Sequence, residues 1–289
     1  MSTLLTLLVS SRPLSWINTA FPFAAAYFMT TREIDLTLVI GTVYFLIPYN
    51  LAMYGINDVF DYESDLRNPR KGGVEGALLA PAQHRTTLIA SALTNIPFLV
   101  CLVVIGTPVS ALVLAVSVFA VIAYSANGLR FKERPFIDSL TSSTHFVSPA
   151  VFGLAIADAE PTPGLLLILV SFFLWGAASH AFGAVQDIVA DRDGGISSIA
   201  TVIGGRATVR LAFLAYLFAG ILLLFLGLPG AIATALAALY AMSVLPYWSI
   251  PDGDAESANR GWKRFLWLNF VSGFAVTMLL IAYTVIVQT

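Results

Sequence analysis

Nine runs of predominantly apolar residues dominate the sequence, and each is long enough to cross a lipid bilayer as a helix. A membrane-spanning helix needs about 20 such residues. The alternation of apolar and polar residues that is typical of a transmembrane β-barrel is absent from the sequence. We therefore predict an all-α, polytopic membrane protein. The predicted spans are 13–30, 36–56, 86–106, 108–127, 137–157, 162–186, 208–227, 229–249 and 263–287.

The composition excludes several soluble classes. Hydrophobic residues make up 58% of the chain and charged residues 11%, with a mean hydropathy of +0.83. Soluble domains carry about 25% charged residues, which excludes a soluble enzyme and a disordered chain. The net charge of −2 provides no basic surface for nucleic acid. The single cysteine, Cys101, is predicted to be a buried, inert thiol, and we expect no secretory signal.

Lysine and arginine are distributed unevenly between the two ends of the predicted spans. Of the 15 such residues, all but Arg32 fall at the ends that carry the long loops. The positive-inside rule places these loops and the N-terminus in the cytoplasm, with the C-terminus outside the plasma membrane. No Asp, Glu, Lys or Arg lies in the middle of a predicted span. This argues against an ion-coupled transporter.

Two acidic clusters follow the second and sixth predicted spans. Asp58, Asp61 and Asp65 are spaced three and four residues apart, so a helix would place them on one face. Asp187 and Asp191 repeat the spacing of four. An even number of spans separates the clusters, so both are predicted to face the cytoplasm.

The repeated position of the clusters suggests a parallel internal duplication within one membrane-embedded domain of residues 1–289. The two predicted repeats are residues 13–127 and 137–249, and the helix at 263–287 is added to them.

Carboxylates gathered at a membrane edge are suited to magnesium chemistry. Mg²⁺ prefers oxygen ligands and is usually bound by one or two carboxylates together with water and substrate phosphates. The two clusters could therefore hold Mg²⁺ around a diphosphate, and nearby cations could take up the remaining phosphate charge. Solvated loop acids and interfacial anchoring of the cations are the alternative interpretations. The cations in question are Arg67, Arg70, Lys71, Arg130 and Lys132.

These residues resemble the motifs of the UbiA superfamily of membrane prenyltransferases. The resemblance rests on Asn57-Asp58-x-x-Asp61-x-x-x-Asp65 and Asp187-x-x-x-Asp191. The segments 124–132 and 195–204 are similar to stretches that accompany these motifs in the family. Within the superfamily, the bacterial lycopene elongases are the branch that the chain is most similar to. The stretches that carry this likeness are 11–20, 47–58, 68–77 and 131–145.

The resemblance implies a bundle of helices around a central cavity and a Mg²⁺-dependent transfer of a prenyl group from an allylic diphosphate. For the elongase branch it implies dimethylallyl diphosphate as donor and lycopene as acceptor, giving C45 and C50 carotenoids. A carotenoid cyclase is a candidate partner that would receive the product.

Site residues are assigned by combining the clusters with the resemblance. The catalytic aspartates are Asp58, Asp61, Asp187 and Asp191, and Asp65 joins them as a metal ligand. The diphosphate-binding candidates are Asn57, Arg67, Lys71, Arg130, Lys132 and Asp193. The candidates lining the acceptor cavity are Asn50, Tyr54, Tyr124, His180, His145 and Trp16.

Two histidines are candidates for a base or for positioning a water. His180 lies seven residues before Asp187, about two helical turns deeper on the same face. His145 has the same relation to Asp138. A histidine satisfied within the core is the competing interpretation, and the diphosphate itself could take the proton.

Three other functions compete with this hypothesis. The first is the same reaction on another apolar or aromatic acceptor, such as a quinone, porphyrin or lipid precursor. The second is a transporter of a lipid diphosphate or an ion, for which Pro48, Pro97 and Pro149 are weak signals of broken helices. The third is a structural membrane scaffold, which would leave the two acidic clusters without a role.

Overall fold

A computed structural model describes residues 3–66 and 78–288 of the chain. Every regular element in these two ranges is a helix, which confirms the predicted all-α class. The chain divides into two compact units. The first comprises residues 1–132 and 144–160, and the second comprises residues 133–143 and 161–289.

The first unit contains seven helices and most of an eighth. They are α1 (Thr3–Ser10), α2 (Ile17–Thr31), α3 (Leu36–Leu46), α4 (Pro48–Phe60), α5 (Tyr62–Asp65), α6 (Pro81–Ile105) and α7 (Pro108–Ser125). Helix α8 (Ile137–Ile156) belongs to the second unit up to Ser143 and to the first from Thr144 onward.

The second predicted span is broken into α3 and α4 at Ile47 and Pro48. Proline has no backbone N–H and clashes with the carbonyl four residues earlier, so it disrupts a continuing helix. The amide nitrogen of Asn50 donates to the carbonyl oxygens of Phe45 and Leu46, at 2.8 and 3.1 Å. It also donates to Thr19 Oγ1 at 2.7 Å. Asn50 therefore satisfies backbone groups at the break and ties it to α2.

An aromatic cluster forms the core of the first unit. The ring centroid of Phe23 lies 5.3 Å from that of Phe45 and 5.8 Å from that of Phe152. All three side chains are fully buried. Phe23 fits there because α3 carries a glycine, Gly41, where a Cβ atom would lie 2.1 Å from Phe23 Cζ.

Replacing Gly41 by Ala is therefore expected to destabilise the protein by about 1–3 kcal/mol, because the enclosed ring of Phe23 has to shift. Thermal unfolding of the purified protein in detergent would measure the change. Gly273→Ala is the matched control, since a Cβ at that helical glycine meets nothing within 4 Å. Equal melting temperatures for the two variants would contradict the packing argument.

The second unit contains six further helices. They are α9 (Pro163–Val185), α10 (Ile188–Asp193), α11 (Ile199–Ile203), α12 (Gly205–Leu224), α13 (Gly227–Val244) and α14 (Asn259–Gln288). Aromatic and polar contacts combine in its core. The hydroxyls of Tyr216 and Ser179 lie 2.9 Å apart, and Tyr240 donates its hydroxyl hydrogen to Asn269 Oδ1 at 2.9 Å. The ring of Phe265 packs 5.8 Å from that of Trp175.

Seven helical segments in the described residues are long and apolar enough to cross a membrane. They are 36–60, 81–105, 108–125, 163–185, 205–224, 227–247 and 252–285. The predicted number of nine is therefore approximate. Helix α2 has only 15 residues, and α8 is rich in Ser and Thr and contains a histidine. The chain is a multi-pass membrane protein, and Cys101 is only partly buried rather than enclosed.

Candidate active site

The first acidic cluster lies where α4 ends and α5 follows. Asp58 is in the last turn of α4, Asp61 is the C-cap of that helix, and Asp65 ends α5. Each of the three residues is at most 6% exposed. Carboxylates this buried require charged or hydrogen-bonding partners, because desolvation penalises an isolated charge.

Asp58 is held by the last residue of α1 and by the segment that follows this helix. Arg12 Nη2 lies 2.9 Å from Oδ1 of Asp58, and Ser10 Oγ donates to Oδ2 at 3.0 Å. The guanidinium of Arg12 also stands over the ring of Tyr54, 4.3 Å from its centroid. Burial by itself would lower the pKa of Arg12, but the charge of Asp58 raises it above its ordinary value. Arg12 thus remains a fixed cation beside the first cluster.

Asp61 is paired with the residues that follow α7. Lys132 Nζ contacts Oδ1 of Asp61, and Arg130 Nη2 lies 3.8 Å from the same oxygen. Arg130 immediately precedes a short 3-10 helix at Phe131–Glu133, and Lys132 lies within it. The sequence placed Arg130 and Lys132 near the acidic cluster, and the structure brings them to it. The candidates Arg67 and Lys71, together with Arg70, lie outside the described residues.

The other candidate residues of the first unit make hydrogen bonds and ring contacts close to the helix ends. Asn57 Oδ1 accepts a hydrogen bond from Ser125 Oγ at 2.9 Å, at the end of α7. The ring of Tyr124 lies 5.2 Å from that of His145, in an edge-to-face arrangement. His145 is 3% exposed. Trp16 donates its indole N–H to the carbonyl of Ser11 at 3.0 Å, which fixes the turn that carries Arg12.

The second acidic cluster lies in the second unit, where α9 passes into α10. Asp187 precedes α10 as its N-cap residue, and Asp191 lies in the first turn, so the two share a face one turn apart. Both are half-buried, whereas Asp193 at the end of α10 is exposed. The guanidinium of Arg192 points to Asp252 Oδ2 at 2.8 Å and to the carbonyl of Thr201 at 2.7 Å.

A polar junction near the second cluster involves one acidic residue that the sequence assigned no site role. Asp138 is fully buried, and its Oδ2 accepts the backbone N–H of Ile199 at 2.7 Å, where α11 begins. Its Oδ1 accepts the N–H of Ser139 at 2.7 Å. The hydroxyl of Ser139 lies 3.1 Å from Nδ1 of His180. Asp138 thus fixes the start of α11, and its neighbour Ser139 orients His180.

Oxygen donors in these clusters match the preference of magnesium, since Asp carboxylates are hard ligands. In the described ranges, 3–66 and 78–288, no group of three or more His, Cys, Asp or Glu side chains is gathered closely enough to hold a metal ion. The carboxylates of Asp58 and Asp61 instead form ion pairs with Arg12 and Lys132, respectively. The type of donor fits a divalent ion, and protein cations share the same carboxylates.

A sequence profile of the UbiA prenyltransferase family matches residues 19–273 of this chain. Two curated relatives are similar over 96% of the chain. A protein of Dietzia sp. (strain CQ4), named C(50) beta-cyclic carotenoids biosynthesis protein LbtBC, is 59% identical over 279 residues. The lycopene elongase/hydratase of Corynebacterium glutamicum is 57% identical over 276 residues. The match covers 96% of the Corynebacterium protein but 65% of the Dietzia protein, so the chain spans less than two thirds of the latter.

Solved structures share the fold at low sequence identity. A UbiA homolog from Archaeoglobus fulgidus, determined with DMAPP and Mg²⁺ bound, superposes with a TM-score of 0.69. The superposition covers 92% of this chain and 98% of the homolog, at 18% identity. The similarity shows that the helices of this chain follow the same architecture.

Proposed function

The chain belongs to the UbiA prenyltransferase family, and we propose that it transfers the C5 group of dimethylallyl diphosphate to the ends of lycopene. The observation that carries this proposal is the 57% identity to a lycopene elongase/hydratase over 96% of both chains. The 59% identity to a C50 carotenoid biosynthesis protein supports the same acceptor.

The donor and the metal are supported by the Archaeoglobus fulgidus homolog, whose structure holds DMAPP and Mg²⁺. We assign the metal ligands to the carboxylates of both clusters, where oxygen donors at a membrane edge suit this ion. Bound magnesium would neutralise the charge that develops on the departing diphosphate. The proposed ligands are Asp58, Asp61, Asp65, Asp187 and Asp191.

Cations of the first unit are proposed to bind the diphosphate. Arg130 and Lys132 lie at Asp61, so they are close to any phosphate group that reaches this carboxylate. Their N–H groups can donate charge-assisted hydrogen bonds to phosphate oxygens. Asn57 lies in the last turn of α4, one residue from Asp58, and its side chain is held by a hydrogen bond from Ser125. We propose the same role for Asn57, Arg67 and Lys71. Asp193 is an anion without a donor, so we propose that it acts at the diphosphate through a lysine or a metal ion.

The allylic cation that forms must meet the acceptor before it meets water, so aromatic and apolar groups are expected around it. Tyr54 and Tyr124 are proposed to line this space, because aromatic rings attract cations. The guanidinium of Arg12 stands over one face of Tyr54, 4.3 Å from the ring centroid, and this contact supports the proposal. We propose that Asn50 and Trp16 support this lining from the helix break and the Ser11 turn.

After lycopene attacks the allylic cation through a terminal double bond, a tertiary cation remains on the product. It is discharged by loss of a proton or by addition of water. His180 and His145 are the proposed groups for this step, and Ser139 holds Nδ1 of His180 at 3.1 Å.

Replacing His180 by Ala is accordingly expected to change the ratio of hydrated to unsaturated products. These two products differ by the mass of one water, so liquid chromatography with mass detection distinguishes them. His84→Ala is the control, since His84 contacts the carbonyl of Leu79 in the other unit and has no proposed role. An unchanged product ratio in the His180 variant would show that this residue only packs in the core and takes no part in discharging the cation.

A comparison of acceptors tests the proposed function. Membranes containing the protein would be given dimethylallyl diphosphate with lycopene, an aromatic quinone precursor or a porphyrin precursor. Prenylation of lycopene alone supports the proposal. Prenylation of an aromatic acceptor but not of lycopene would agree with a prenyltransferase of this family but would reject lycopene as its acceptor. Uptake of the diphosphate without turnover would favour a transporter.

A further inference from the structure

The second unit has an open cleft beside the first three turns of α12, and none of the clustered aspartates lines it. Its volume is about 710 Å³, within the range of small-molecule sites. Arginines line one part of it and aliphatic side chains the other. The lining residues used below are Arg206, Arg210, Leu211, Leu214, Ile250 and Asp252.

The charged part of the cleft is basic. Arg206 and Arg210 are exposed and lie four residues apart, so they are neighbours on one face of α12. Asp252 is the acidic group among the lining residues. Its oxygens accept the N–H of Gly205 at 2.7 Å and pair with Arg192 at 2.8 Å. The carboxylate of Asp252 is therefore engaged by other donors, and positive charge dominates the cleft.

The apolar part of the cleft lies deeper along the same helix. Leu211 and Leu214 are 41% and 54% exposed, and they follow the arginines toward the centre of the predicted span. At 1.5 Å per residue, Leu214 is about 12 Å along α12 from Arg206. The order of groups is thus positive charge at the membrane edge and aliphatic surface toward the bilayer interior.

Trp248 marks the depth of the membrane interface at this cleft. The guanidinium of Arg210 stands 5.1 Å from the centroid of the Trp248 ring, and its Nε donates to the Trp248 carbonyl at 3.3 Å. Tryptophan is enriched at the boundary between headgroups and acyl chains. We therefore expect Arg210, held against this tryptophan, to lie at the level of the lipid phosphates.

We propose that this cleft binds an anionic phospholipid of the cytoplasmic leaflet. The lipid phosphate lies between Arg206 and Arg210, and an acyl chain lies over Leu211 and Leu214. Basic pockets on the cytoplasmic side of membrane helices recognise such headgroups. Because α12 follows directly after α10 and α11, the lipid would anchor the segment that carries Asp187 and Asp191 at the membrane edge.

Lipid retention measured by native mass spectrometry tests this proposal. The purified protein would be equilibrated with phosphatidylglycerol or phosphatidylcholine, and bound lipid counted after release from detergent. We expect Arg206→Gln combined with Arg210→Gln to lower retention of phosphatidylglycerol on the order of 30-fold. Arg85→Gln combined with Arg260→Gln is the matched control, because it removes two exposed arginines elsewhere. An equal loss in both double variants would overturn the proposal.

A second variant tests the space inside the cleft separately from the charge of its arginines. Ala207 is exposed and lines the cleft, so Ala207→Trp fills it without altering the arginines. This variant is expected to lose phosphatidylglycerol as well. Unchanged retention in Ala207→Trp, or equal retention of both lipids by the wild type, would contradict a lipid site. Displacement of the lipid by millimolar inorganic phosphate would show a site for a soluble anion instead.

Discussion

Replacing Asp61 by Asn should lower kcat/KM for prenyl transfer by about 10³-fold or more. Asp61 is the proposed metal ligand that Lys132 and Arg130 already surround, so the substitution removes charge where both metal and diphosphate are expected. The amide keeps the shape of the side chain and an oxygen that Lys132 can contact. Asp187→Asn should cause a loss of similar size through the second cluster. Initial rates of labelled dimethylallyl transfer measure both effects.

Asp35→Asn is the control for these substitutions. Asp35 is the N-cap of α3, where its side chain accepts the N–H of Leu38 at 2.9 Å, and Asn serves equally well at such a position. This variant should retain full activity. Full activity in Asp61→Asn, with the protein inserted and folded, would refute the metal assignment.

Replacing Arg12 by Gln is expected to lower the free energy of unfolding by about 3 kcal/mol. The side chain of Asp58 is fully buried, and the substitution would remove the cation that pairs with its Oδ1 at 2.9 Å. Thermal unfolding in detergent gives the difference. Arg85→Gln, an exposed arginine on α6 of the same unit, should leave the transition unchanged.

A second substitution distinguishes the ion pair from a general effect of Arg12. Asp58→Asn in the Arg12→Gln background removes the buried charge that has lost this ion pair, so part of the lost stability should return. Strictly additive losses in the double variant would show that the two residues do not interact. Because Asp58 is also a proposed metal ligand, we expect substitutions of this ion pair to lower both activity and stability.

The helix architecture followed from hydropathy, but the break in the second span did not. Pro48, Pro97 and Pro149 looked alike in the sequence, yet only Pro48 lies at a break, while Pro97 and Pro149 lie inside continuous helices. Membrane helices tolerate proline when neighbouring groups satisfy the freed carbonyls. At Pro48, where α3 ends and α4 begins, the side-chain amide of Asn50 donates to the carbonyls of Phe45 and Leu46. Contacts of this kind have no local signature in the sequence.

The acidic clusters were predictable because their spacing is local, whereas their partners are distant in sequence. Arg12 and Asp58 are 46 residues apart, and the short segment between α1 and α2 carries no pattern that pairs Arg12 with this particular carboxylate. Lys132 was expected near this cluster because cations gather at the same membrane edge, and its Nζ does contact Asp61, while its role at the diphosphate stays a prediction. Asp138 had no predicted role, because its partner is a backbone N–H, that of Ile199, which no residue pattern reveals.

The most direct test of the account is a mass-resolved product assay with the purified protein. Lycopene and dimethylallyl diphosphate would be supplied with Mg²⁺, with EDTA, and with EDTA followed by excess Mg²⁺. We expect C45 and C50 carotenoids that disappear with EDTA and return when the metal is restored. Absence of any product from lycopene, in a preparation that prenylates an aromatic acceptor, would contradict the proposed acceptor. Undiminished C45 and C50 formation in EDTA would contradict the metal-dependent mechanism.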